Sequence, residues 1–130
     1  MGSIALDSSV VIALFRRDDA HHEAVRTEIA AARTREDVYV LPASVLSEAM
    51  VGAYRNATAT ELRRRIVGLF GPVRALDEQV ALAAAELRGE HRSLRLPDAV
   101  VVATGIVDDA VVLTCDRRLA GVDPRVQVIG

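Results

Sequence analysis

A chain of 130 residues suits one domain with a real core and leaves little room for a second. Hydrophobic residues make up 51% of it and aromatics only 3%, so that core must be built from Ala, Val, Leu and Ile. The net charge of −2 hides an asymmetry, because all 16 basic residues are arginine. A Walker-type phosphate loop needs Gly-Lys-Ser/Thr, and Schiff-base chemistry needs an amine, so both are excluded. Arginine is the better fork for phosphate, which makes the chain compatible with an anionic polymer, although codon bias is the simpler cause. No basic stretch followed by an apolar run opens the chain, and no apolar run approaches a membrane span. Cys115 stands alone and reads as a small buried strand residue. A cytoplasmic protein is expected.

Ile4 to Leu6 reads as a first strand, and Ser8 to Phe15 as an apolar helix that follows it through Asp7. A second helix runs on from His22, with Ala24, Val25, Glu28, Ile29 and Ala32 in the helical repeat. Val38 to Leu41 is a second strand ended by Pro42, and Ser44 to Tyr54 a third helix. Another helix begins near Thr60, which can cap it, and stops at Gly71-Pro72. Val73 to Leu76 is a third strand, and Asp77 can cap a long helix ending near Arg88 or Gly89. Pro97 then opens, as the first helical residue, the most apolar helix, Ala99 to Val107. Ala110 to Thr114 and Val126 to Ile129 are the last strands. Strands separated by helices imply parallel pairing with right-handed crossovers, hence a three-layer α/β/α sandwich with a mainly parallel sheet, as one domain over residues 1–130.

Four acids stand out. Asp7 lies where buried strand turns to buried helix, the edge at which open parallel sheets bind ligands; locally it is explained as well by capping the helix. Asp98 opens a helix apolar nearly all round, on the face of Val101, Val102 and Gly105, so it is expected to be buried and to need a partner or a metal; an N-terminal dipole partner is the structural alternative. Glu48 lies at the edge of an apolar stripe between Ser44 and Gly52, although alone it reads as a solvated glutamate. Gly52 costs its helix roughly 1 kcal/mol against alanine, and clearance beside a ligand is one reason to accept that. Asp116 repeats Asp7, an apolar strand ending in an acid. Four converging carboxylates resist ionisation unless a cation neutralises them, and all-oxygen ligands select Mg²⁺ or Mn²⁺.

The order and spacing of Leu6-Asp7-Ser8-Ser9-Val10, Ser47-Glu48, Leu94-Arg95-Leu96-Pro97-Asp98-Ala99 and Leu113-Thr114-Cys115-Asp116-Arg117 resemble the PIN-domain ribonucleases, in particular the VapC-type toxins of toxin–antitoxin pairs. The resemblance covers nearly the whole chain. It implies a PIN-like fold and a Mg²⁺- or Mn²⁺-dependent endoribonuclease holding one or two ions on Asp7, Glu48, Asp98 and Asp116. Ser9 and Thr114 match the hydroxyls that support those carboxylates. It also implies an RNA substrate, a homodimer, and a VapB-type antitoxin that blocks the acidic site, often with a basic C-terminal segment. Cys115 stands where arginine is common in the family.

Arg95 and Arg117 adjoin the acids and are candidate contacts to the RNA backbone; Arg16, Arg17 and Arg118 lie close in sequence. Arg63 to Arg65 read as a solvated helix face. His21, His22 and His91 fall outside the motifs and read as surface residues rather than general bases, and two Phe and two Tyr are too few for a stacking platform. A non-catalytic PIN-like interaction module is the alternative. A haloacid-dehalogenase-type phosphatase fits less well, since Ser9 occupies the place of its second Asp and its lysine is missing; a receiver domain fails for the same lysine.

Overall fold

The computed structural model describes residues 2–130, in which five parallel strands alternate with six helices. In chain order these are β1 (Ser3–Leu6), α1 (Ser8–Phe15), α2 (His22–Thr34), β2 (Val38–Pro42), α3 (Ala43–Arg55), α4 (Ala59–Phe70), β3 (Val73–Arg74), α5 (Glu78–Glu90), α6 (Leu96–Val107), β4 (Val111–Thr114) and β5 (Val126–Val128). A 3₁₀ turn, Arg117–Leu119, follows β4.

The sheet order is β3-β2-β1-β4-β5. The chain steps outward from β1 to β3 on one side, then crosses to β4 on the other. With right-handed crossovers this puts α1 to α4 on one face and α5 and α6 on the opposite face, the expected three-layer sandwich. β1 is central, pairing Ile4 with Tyr39 on one side and with Val111 on the other. Strands covered on both faces must be apolar throughout rather than alternating, and Ile4, Ala5, Leu6, Val112 and Leu113 are all buried. The core is aliphatic as composition demands. Its one large aromatic is Phe70, fully buried and edge-on to Tyr39 with ring centroids 4.9 Å apart. Among the described residues no helix is long and apolar enough to cross a membrane.

Three local expectations are corrected. β3 ends at Arg74 rather than Leu76, because it pairs with Leu41 and Pro42, where β2 turns into a helix and offers Ala75 and Leu76 no partner. Helix α4 starts at Ala59 with Thr58 in the cap position and no side-chain cap bond, so Thr60 lies inside the first turn. Helix α6 starts at Leu96, which makes Pro97 its second residue; a missing N–H is as harmless there as at the first. Asp77 does cap α5, accepting from Val80 N at 2.9 Å.

Candidate metal centre

Each of the four acids stands at the carboxyl edge of the sheet because of where its element starts. Asp7 follows β1 directly, and its N–H extends the ladder by donating to Leu113 O at 3.0 Å. Extended backbone there (φ −77°, ψ 155°) hands the chain to α1, whose Val10 and Val11 N–H groups donate back to Asp7 O. Glu48 sits in the second turn of α3, which begins where β2 ends. Helix α6 leads into the amino end of β4, so its first turn, with Asp98, lies at the opposite, carboxyl edge. Asp116 follows β4 and caps the 3₁₀ turn.

Asp7 is 4% exposed, and every hydrogen bond it accepts comes from within this corner. Oδ1 accepts from Ser8 N at 2.9 Å, the capping bond. Oδ2 accepts from Ser9 Oγ at 2.8 Å and Thr114 Oγ1 at 2.7 Å. The two hydroxyls in turn accept from backbone, Ser9 Oγ from Cys115 N and Thr114 Oγ1 from Asp116 N, each at 3.0 Å. Both hydroxyls thus accept from backbone while pointing at the carboxylate, with 3.4 Å between their oxygens, and capping and cluster membership are compatible roles for Asp7.

The other acids are less deeply placed. The Asp98 side chain is 17% exposed, a rim position rather than the buried one its apolar helix suggested, because the burial of α6 begins at Ala99. Partial burial pushes its carboxyl above the usual range, the Asp7 charge adds to this, and Arg95, with Nε 3.7 Å from Oδ2, opposes it. Burial likewise raises Glu48, with Asp7 and Asp98 both contributing. Asp116 goes the other way: hydrogen bonds from the Arg118 guanidinium hold it below the usual range. Glu48 thus feels Asp7 and Asp98, and Asp98 feels Asp7 and Asp116, which links the four acids in one neighbourhood.

Among the described residues no three acid, histidine or cysteine side chains stand close enough, as oriented, to grip an ion together. Two physical reasons are visible. Burial raises Glu48 and Asp98 and neighbouring acids add to it, which disfavours closer approach of the carboxylates, and Asp116 has both oxygens turned onto Arg118. The donors are hard oxygens, and a cation would relieve the strain that the raised groups record, so the set fits Mg²⁺ or Mn²⁺.

Several other expectations are refined. Arg118, expected only to lie close in sequence, engages Asp116 directly; an Asp followed two residues later by Arg was the available signal. Ser8 is an addition too, since it works against the rise of the Glu48 carboxyl. The clearance at Gly52 serves Arg16, whose Nη2 would lie 3.4 Å from an added Cβ. His22 is half-buried and its Nδ1 lies 2.7 Å from Ala13 O, tying α2 to α1 rather than facing solvent freely. Arg63 to Arg65 are exposed, and Arg65 lies over the Phe15 ring at 5.0 Å. Cys115 is half-buried, its thiol pushed up by that burial. A groove of about 700 Å³ between α1, α3 and α4 runs past Phe15, Gly52, Leu62 and Ile66 to Glu48.

Comparison with known proteins agrees with this architecture. Over 44 residues, 34% of this chain and 69% of the other, the sequence is 50% identical to an uncharacterised protein of Archaeoglobus fulgidus. Its fold is similar to that of a toxin–antitoxin complex chain from Klebsiella pneumoniae, with TM-score 0.76, 23% identity, and coverage of 97% of this chain and 96% of that one. It is similar as well to Mycobacterium tuberculosis VapC20, a sarcin–ricin loop cleaving toxin, with TM-score 0.68, 19% identity and coverage of 84% and 85%. The family model of the PIN domain matches residues 4–124, nearly the entire length, which leaves no place for the phosphatase alternative: the chain belongs to the PIN domain family.

Proposed function

We propose that this chain is a Mg²⁺- or Mn²⁺-dependent endoribonuclease and the toxin of a toxin–antitoxin pair. The observation that carries the reading is the gathering of four carboxylates at the carboxyl edge of one parallel sheet, Asp7 after β1, Asp116 after β4, and Glu48 and Asp98 in the opening turns of α3 and α6. Glu48 and Asp98 are both raised by burial and by neighbouring acids, an arrangement that costs stability and makes sense where a cation is recruited. Membership of the PIN family and the likeness to toxins, one of them cleaving the sarcin–ricin loop, support the same reading.

Asp7, Glu48, Asp98 and Asp116 are the residues that would hold one or two ions. When bound, such an ion lowers the pKa of water, orients it toward phosphorus and neutralises charge on the leaving oxygen. The protein's own part is to fix the ligands. Ser9 and Thr114 lock Asp7 through Oδ2, leaving its remaining lone pairs directed away from the hydroxyls. Arg95 stands beside Asp98, placed to offset the charge of an incoming RNA backbone. Hydrolysis by water leaves a 5′-phosphate on the product.

A VapB-type antitoxin is the expected partner, and a homodimer the expected assembly. A basic segment of the antitoxin complements the acids, while the apolar groove that ends at Glu48 gives a neighbouring stretch its seat. Localisation in the cytoplasm follows from such a role.

The test is RNA cleavage with Mg²⁺ or Mn²⁺, run against chelator and against Asp7→Ala. Loss of cleavage in both controls is expected. Activity that survives both overturns the metal-nuclease reading, and no cleavage by the wild-type chain under any metal favours the non-catalytic PIN-like module.

A further inference from the structure

Of the four acids, Asp116 is the one held in a two-pronged grip by a cation. Arg118 Nε donates to Oδ1 at 3.1 Å and Nη2 to Oδ2 at 2.8 Å, while the Arg118 backbone N–H separately holds Oδ1 at 2.9 Å. The Arg118 side chain is 75% exposed, so Asp116 rather than packing fixes its guanidinium. Its positive charge reaches Asp98 as well. Beside it opens a cavity of about 410 Å³, lined by Arg95, Asp98 and Arg118 among others.

We propose that Arg118 is a place-holding cation, displaced from Asp116 by the divalent ion, and that the released guanidinium then grips a phosphate of the RNA substrate. The proposal rests on the nuclease reading above. Three observations carry it. The fork occupies one lone pair on each Asp116 oxygen, and a guanidinium in that position would face the ion as a like charge. The backbone bond to Oδ1 does not depend on the guanidinium, so Asp116 stays aligned when the side chain leaves. Once free, Arg118 stands at the wall it shares with Arg95, and its planar fork matches phosphate as well as carboxylate. An anionic polymer that must approach four acids needs such a partner, and the exchange supplies it only after the ion is in place. Arg118 thereby acts twice, first as counter-charge and then as a substrate-binding residue.

The experiment is Mn²⁺ titration by calorimetry, without RNA, on wild type, Arg118→Ala and Arg118→Lys, followed by steady-state RNA cleavage at saturating Mn²⁺. Neither substitution removes a core contact, so both variants fold. Arg118→Ala is expected to bind Mn²⁺ about threefold to fivefold more tightly, the scale of one lost competing surface ion pair. Its KM for RNA is expected to rise about tenfold, as for one lost charge-assisted hydrogen bond, with kcat nearly constant. Arg118→Lys cannot fork Asp116, so its Mn²⁺ affinity also rises, but it keeps a charge for phosphate and its KM stays near wild type. Mn²⁺ affinity unchanged or weakened in Arg118→Ala overturns the proposal, because Arg118 then only orients Asp116. Tighter Mn²⁺ binding with unchanged KM overturns the phosphate role. If the wild type cleaves no RNA, the nuclease reading falls, while the titration still decides the displacement.

Discussion

Thr114 and Asp7 are 107 residues apart in the chain, yet Thr114 Oγ1 donates to Asp7 Oδ2 at 2.7 Å across the central strand pair. The register of Leu6 with Leu113 brings them face to face. Thr114→Val keeps the shape and removes the hydroxyl, so Asp7 loses one donor and Asp116 N–H loses its acceptor. A loss of about 1–3 kcal/mol is expected in urea unfolding. Thr114→Ser should recover most of it. A loss in Thr114→Ser with none in Thr114→Val would mean that the methyl group, not the hydroxyl, is what matters.

Asp98 and Glu48 predict an unusual acid limb. Both carboxyls titrate higher in the native protein than in the unfolded chain, so in that window the native state binds more protons. Their contribution to stability is full below the unfolded values and is lost as pH rises through the folded ones. Asp116 and Asp77 act oppositely, losing stability as pH falls, because both are held low. Asp98→Asn should therefore abolish cleavage but leave the Tm in chelator unchanged or raised at neutral pH, and remove part of the decline from mildly acidic to neutral pH. A large drop in Tm would show Asp98 to be a structural residue of the α6 terminus.

Arg74 fastens the edge of the sheet. It donates Nε to Asp108 Oδ2 at 2.8 Å and Nη2 to Asp108 Oδ1 at 3.0 Å, and Nη1 reaches Asp77 at 3.0 Å. Two-residue β3 has little else to hold it. Arg74→Ala is expected to cost about 1–2 kcal/mol in chemical denaturation, and Arg74→Lys to recover less than half, since an ammonium cannot fork. Full recovery by lysine would reduce the role to charge alone.

Gly105 is where α6 comes nearest to β4. An added Cβ would collide with Val112 Cγ2 and lie 3.0 Å from Ala110 O, both in the packed interior. Gly105→Ala, which raises helix propensity, should nonetheless lower stability by about 1–3 kcal/mol through overpacking. A rise in Tm would show that the helix can shift outward freely.

The sheet and its helices were legible because a strand covered on both faces and a helix with an apolar stripe leave different periods in the sequence. β3 was read too long for a reason no local pattern carries: Leu76 is apolar enough for a strand, but its neighbour has already become a helix. Asp7 and Asp116 could be placed at one edge from the repeated strand-then-acid pattern. Asp98 was expected deeper than it lies, since its helix is buried only from the next residue onward. Arg118 could be named only as lying close to the acids, because two adjacent arginines look alike in sequence, and only the curl of the 3₁₀ turn decides which of them folds back on Asp116.

The central pairing of β1 with β4 also sets an order of events during synthesis. Asp7 leaves the ribosome 107 residues before Thr114, which completes its hydrogen bonds, and before Asp116. Until β4 is available, Asp7 has no strand on that side and the cluster lacks a corner. The corner around Asp7 therefore closes only once β4 has been made and has paired with β1.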